Sequence, residues 1–159
     1  MTKTKAQQIM AATEVRAADD VTAAIQDIAA EFEPYIIKQR RHFHKHPELS
    51  LAEERTTSDI ANQLDAMNIP YERPLKTGLV ATLRGTAPDA YREDGTPRRR
   101  ILLRADIDAL PVTEQTGEEF ASVNEGCMHA CGHDCHIAMM LGTLQILRHM
   151  TDDLSLIHI

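Results

Sequence analysis

Gly126-Cys127-Met128-His129-Ala130-Cys131-Gly132-His133-Asp134-Cys135-His136-Ile137-Ala138-Met139-Met140-Leu141-Gly142 decides how the rest of the chain is read. Between His129 and Ala138 stand three His, two Cys and one Asp, most of the soft and borderline donors a protein can offer a metal. Gly126 and Gly132 break the run, and an apolar stretch continues through Leu144, Ile146 and Leu147. That order predicts a glycine-punctuated loop delivering donors to the start of a buried helix, over roughly 136–150. Cys131 and His133 are two apart across Gly132. In extended or turning backbone alternate side chains point the same way, so both can reach one ion. Taken singly, each residue is more simply a buried reduced Cys or a surface His. The clustering is what favours metal.

Upstream, two strands are expected at 78–84 and 100–105, where β-branched and apolar residues gather. Between them Gly85, Pro88, Gly95 and Pro97 sit among charges, which reads as a surface connection. The second strand runs into Asp106-Ile107-Asp108 and is closed by Pro111. Carboxylates at a strand end are well placed to face a cleft. Alone, Asp108 reads equally as a turn aspartate bonding its own backbone.

Towards the N-terminus, Ser50 with Glu53 three residues on predicts a capping box. It opens a helix whose apolar face is Ile60, Leu64 and Met67 and which Asn68-Ile69-Pro70 stops. Apolar positions 21, 25, 28 and 32 predict an amphipathic helix. Pro34 then interrupts, so a second helix is expected to start there, carry Tyr35, Ile36, Ile37 and Phe43, and end at Pro47. The cationic run from Arg40 to His46 is, by itself, a solvated face. Residues 1–18 are polar and Ala-rich, with fraying expected.

Bulk properties narrow the function class. The 159 residues suffice for one domain with a real core, and 43% hydrophobic with 26% charged content is that of a globular protein. Seventeen Lys+Arg against twenty-four Asp+Glu give a net charge of −7, which argues against nucleic acid or an anionic membrane as partner. No apolar run approaches the roughly 20 residues that span a bilayer. No apolar segment follows the N-terminal lysines, so no secretory signal is visible. Three Cys packed at 127, 131 and 135 are unlike a disulfide framework, and a reducing, cytoplasmic location is expected.

Three blocks together resemble one family. Arg40-Arg41 with His44, His46-Pro47-Glu48-Leu49, Glu53 and Thr56 is the first. Arg104-Ala105-Asp106-Ile107-Asp108-Ala109-Leu110-Pro111 is the second, and Met128-His129-Ala130-Cys131-Gly132-His133-Asp134 with His136 is the third. In order and spacing they resemble the amidohydrolase branch of the M20 metallopeptidases, over about residues 36–150. That branch includes N-acyl-amino-acid amidohydrolases, hippurate hydrolases and indole-acetyl-amino-acid hydrolases.

The resemblance implies an α/β, three-layer catalytic domain with a mostly parallel sheet, of which this chain is the N-terminal portion. It makes Cys131 and His133 ligands of a two-metal site and Asp106 the active-site aspartate, orienting a ligand. Asp108, Asp134 and His136 are supporting residues, and Cys135 is a small buried filler. Zinc suits the donors, with manganese, cobalt or nickel as alternatives. The substrate implied is a small N-acyl amino acid, and the full-length form a homo-oligomer. The family's general-base Glu, in a Pro-Ala-Glu-Glu segment, and its later ligands have no counterpart here, so this chain is expected to be inactive. The expected division is a helical extension over 1–35, the catalytic portion over 36–154, and a non-native or truncated tail at 155–159 that packs poorly. His158 is not taken as a ligand.

Two other readings stand beside this one. A structural zinc module would use Cys127, Cys131, Cys135 and a His, although the spacing lacks paired Cys-x-x-Cys. A Cys–His nucleophilic hydrolase would attack with Cys131 or Cys135.

Overall fold

The computed structural model describes residues 18–154 and 156–158. Fraying of residues 1–17 and the tail residues 155 and 159 therefore lie outside the described residues. Two compact units divide between Glu31 and Phe32. The described part of the first is helical, with Val21 and Ile28 half-buried.

Helix α1 spans Ala18–Lys45, with Pro34 inside it. One helix thus replaces the two expected from the sequence. Proline already holds a helical φ, and losing one backbone bond with some ring crowding costs about 3 kcal/mol. Beyond the proline, Phe43 is fully buried and Tyr35 packs against the same core, which offsets that local cost.

Helix α2 spans Glu54–Met67. The expected Ser50/Glu53 capping box does not form: Glu53 makes no side-chain cap bond, and the chain turns through Leu51 in a left-handed conformation. Glu48 caps the helix from outside instead. Its Oε2 accepts from the Thr56 N–H at 2.7 Å and the Thr56 hydroxyl at 2.8 Å, and its Oε1 from the Arg55 N–H at 3.2 Å. A negative carboxylate at a helix N-terminus also suits the macrodipole. At the other end Asn68 adopts the left-handed conformation that stops the helix.

Among the described residues the sheet has four strands, β1 Tyr71–Glu72, β2 Val80–Arg84, β3 Arg100–Leu102 and β4 Leu156–His158, in the order β1-β2-β4-β3. β1/β2 and β2/β4 pair antiparallel, and only β3/β4 is parallel. This portion is therefore mixed rather than mostly parallel. The parallel pair is the one whose connection contains a helix, α3 (His133–Arg148), whereas the links flanking β2 have none. β3 is shorter than expected because the chain leaves the ladder after Leu102, although Leu103 and Ile107 still pack against the core.

Residues 156–158 correct another expectation. They do not pack poorly: β4 lies between β2 and β3, with Leu83 and Ile101 flanking Ile157, which is 4% exposed. A β-branched residue in a central ladder is well suited to such burial.

Phe43, Leu64, Met67, Ala81, Leu83, Ile137, Leu141, Leu144 and Ile157 form a single core. Ala81 and Leu83 face it, while Val80 and Arg84 on the other side of β2 are exposed. Among the described residues the helices thus cover one sheet face. The third layer implied by the resemblance is not seen there. α1 and α3 approach closely at Gly142, where an added Cβ would lie 2.6 Å from Ile36 Cδ1.

Candidate metal centre

The site forms where three separated segments are tied together by backbone bonds. The Ala109 N–H donates to the Glu48 carbonyl at 2.8 Å, and Leu110 and Met128 exchange bonds at 2.9 and 3.0 Å. The Asn124 amide donates to the Pro47 carbonyl at 2.7 Å. The strand end carrying Asp106 and Asp108 is therefore anchored between the His46–Leu49 turn and the donor-rich loop.

Gly132, at φ 81°, is the N-cap of α3, so the helix starts at His133, three residues before the expected start. This changes which side chains share a face. His133 and His136 are now three apart on a helix rather than on a loop, and residues so spaced are neighbours. Their rings stack at 5.1 Å with a 26° interplanar angle.

Asp106 joins them. One donor atom from each of Asp106, His133 and His136 lies within 4.8 Å of the other two, the one such group of three among the described residues. The Asp106 Oδ2 is 3.7 Å from His136 Nδ1, and its Oδ1 accepts from Arg104. The Arg104 hydrogen bond holds the Asp106 carboxyl below the usual carboxylate range, with the charges of Arg104, His133 and His136 acting the same way against partial desolvation. His133 Nδ1 lies 2.9 Å from both the carbonyl and Oδ1 of Asp108. Both partners are acceptors, so Nδ1 carries the proton and the Nε2 lone pair is free for a metal. A carboxylate and two imidazoles, one already oriented, fit a divalent cation.

Cys131 is exposed and lies outside this group, Cys135 is half-buried, and Cys127 is buried. The sequence paired Cys131 with His133. The structure places His136 beside His133, because the helical period replaces the alternation of an extended loop. The three thiols, differing in exposure, give no support to a structural zinc module. The i, i+3 spacing of the two His, once the helix start is moved to Gly132, was the signal for His136.

A second cluster surrounds Asp134, and its other members were not read as a site. His44, expected on a solvated face, is buried, with Nδ1 2.8 Å from Asp134 Oδ2 and Nε2 3.0 Å from Glu114 Oε1. Arg40 Nε lies 2.9 Å from the same Asp134 oxygen. Burial pushes the Glu114 carboxyl up, but hydrogen bonds from the Ser122 N–H, the Thr116 hydroxyl and His44 outweigh it and hold its pKa at about 2. His129 is 4% exposed, and among the described residues neither of its ring nitrogens has a hydrogen-bond partner. Burial lowers its pKa, with the Asp134 charge acting in the opposite sense.

Residues 102–157 match Peptidase family M20/M25/M40. Those residues belong to peptidase family M20. The chain is similar to an N-acyl-L-amino acid amidohydrolase of Geobacillus stearothermophilus, 42% identical over 131 residues, covering 82% of this chain and 33% of the relative. It is also similar to an N-acetylcysteine deacetylase of Bacillus subtilis, 43% identical over 129 residues, 78% of this chain and 31% of the relative. A Bacillus subtilis crystal structure described as a dinuclear metal binding peptidase from the M20 family superposes with a TM-score of 0.72 at 40% identity. It covers 81% of this chain and 35% of that one. The α/β fold class is therefore that of M20 peptidases. The chain spans about a third of the length of the curated relatives it matches.

Proposed function

We propose that this chain carries part of the metal site of an M20 amidohydrolase that cleaves an N-acyl amino acid to a carboxylate and an amino acid. The convergence of Asp106, His133 and His136, with Asp108 fixing the His133 tautomer, carries this reading. His133 is the central ligand, and Asp106 both orients and contributes a carboxylate. Cys131, two residues before His133, is a further donor on the strength of the family resemblance. A dinuclear centre is proposed by analogy with the Bacillus subtilis structure, with zinc first and manganese, cobalt or nickel as alternatives.

Bound there, a divalent cation supplies Lewis acidity toward an amide carbonyl and lowers the pKa of water. The chain's own residues hold the geometry. Asp108 holds the His133 ring through its Nδ1–H, leaving Nε2 as the ligating nitrogen, Arg104 keeps Asp106 ionised, and the part-exposed rings of His133 and His136 leave the site open to a small substrate. The substrate class rests on the similarity to the Geobacillus amidohydrolase. Nucleic acid is not a proposed partner at a net charge of −7. Nor is a membrane, since no helix among the described residues is long and apolar enough to cross one. A cytoplasmic location and a homo-oligomeric whole protein remain part of the proposal.

Titration of zinc into the chain and its variants tests the site. His133→Ala should abolish specific binding, and His136→Ala and Cys131→Ser should each weaken it. Wild-type affinity in His133→Ala refutes the assignment. Hydrolysis of N-acetyl or N-benzoyl amino acids by the 159-residue chain should be undetectable, because it has no counterpart of the family's Pro-Ala-Glu-Glu base. Turnover that survives a chelator would refute the metal mechanism itself.

A further inference from the structure

The first turn of α3 carries His133 and His136, yet it has no side-chain cap. Its N-cap is Gly132, which has no side chain to hydrogen-bond the free N–H groups, whereas a Ser, Thr or Asp there would anchor the helix start. The anchor comes from elsewhere. Asp134, adjacent to His133, is 1% exposed, and its Oδ2 takes two contacts from α1: Arg40 Nε at 2.9 Å and His44 Nδ1 at 2.8 Å. Arg40 and His44 are one helical turn apart, so a single face of α1 grips one carboxylate oxygen.

His44 is itself held on its far side. Its Nε2 meets Glu114 Oε1 at 3.0 Å, and Glu114 is fixed by the Ser122 N–H at 2.6 Å and the Thr116 hydroxyl at 2.5 Å. Both partners of the imidazole are carboxylates, so the ring is held from both sides. The ring can then move neither toward Glu114 nor toward Asp134 without stretching a charge-assisted bond.

We propose that Arg40 and His44 are positioning residues for the metal site, acting through Asp134 to set the direction in which α3 presents His133. The inference rests on the metal reading above and adds that the site's geometry is set from α1 and the 114–122 loop. Partners outside the ligand shell commonly change metal affinity by about 10- to 100-fold. Arg40 and His44 act one residue removed from His133, so the lower end applies.

The test uses cobalt(II) as both ligand and spectroscopic probe, titrated into the 159-residue chain while visible absorption is recorded. His44→Ala and Asp134→Asn should each weaken cobalt binding about tenfold and alter the d–d band, with far-UV circular dichroism unchanged. The double variant should bind no more weakly than the worse single variant, since both act along one path. If His44→Ala fails to fold, the near-isosteric Asp134→Asn carries the same test. Folded variants with wild-type affinity and spectrum, altered only in thermal stability, overturn the proposal, as does full additivity in the double variant. Absence of cobalt binding by the wild-type chain defeats the metal reading first, and this inference with it.

Discussion

Replacing Glu48 with Ala should destabilise the fold by about 3 kcal/mol, although the residue lies on a turn outside any helix or strand. Its carboxylate accepts three hydrogen bonds at the start of α2. The bond from the Arg55 N–H is exposed, so water replaces it at little cost. Thr56 is 1% exposed, and its N–H and hydroxyl lose a charged acceptor that water reaches poorly. Bonds to charged groups contribute about 1.5–3 kcal/mol each, and partial rehydration brings the pair to about 3 kcal/mol. Glu48→Gln keeps an acceptor oxygen while losing the charge, and should cost about 1 kcal/mol. The assay is equilibrium urea unfolding followed by circular dichroism. With an m-value of about 2 kcal/mol/M, the Ala variant's midpoint falls by about 1.5 M at unchanged m. A drop below about 0.3 M, or equal drops for Ala and Gln, refutes the capping role.

Three further outcomes follow from the packing and charges. Ile157→Asp should prevent stable folding, because it places an unpaired carboxylate in a central strand; a stability within about 0.5 kcal/mol of wild type would contradict the burial of Ile157. The folded Glu114 pKa of about 2 lies below its usual 4.5, so its stabilisation is complete above pH 4.5 and is lost as pH falls from there toward 2. Glu114→Gln should flatten that acid limb, and an unchanged pH profile of urea midpoints would count against it. His129→Leu should be neutral or stabilising by about 1 kcal/mol at pH 7, since it removes two buried nitrogens that lack partners. The folded His129 pKa is depressed, so wild-type stability should decline as pH drops below about 6.5 and the variant should lack that decline. A large loss of stability in His129→Leu at pH 7 would show that its ring is satisfied after all.

The donor-rich loop, the strand end at Asp106 and the helix after it were legible because each rests on local chemistry: glycine punctuation, an apolar period, an acidic pair before proline. What escaped depended on partners distant in sequence. Ser50 looked like a cap, yet the acceptor that reaches Thr56 comes from Glu48 through the turn at Leu51. Pro34 looked like a boundary because its cost is local, whereas the burial of Phe43 that offsets it is tertiary. His44 looked solvated because its own neighbours are cationic, and the carboxylates that enclose it come from Asp134 and Glu114. The stacking of His136 on His133 escaped because the expected helix start lay three residues late, which exchanges one face for another.

The strand order has a consequence for how the chain is made. β2 and β3 emerge from the ribosome early but do not pair with each other; β4, synthesised after α3, must insert between them. Until it arrives both strands offer open ladder edges, and those of β3 include exposed Ile101 and Leu102. Such edges template pairing with other chains. Closing the ladder joins partners far apart in sequence, so the sheet forms late and slowly while α1 and α2 can form from local contacts. During synthesis there is thus an interval in which a chaperone, or dilution, guards this protein better than its own stability can.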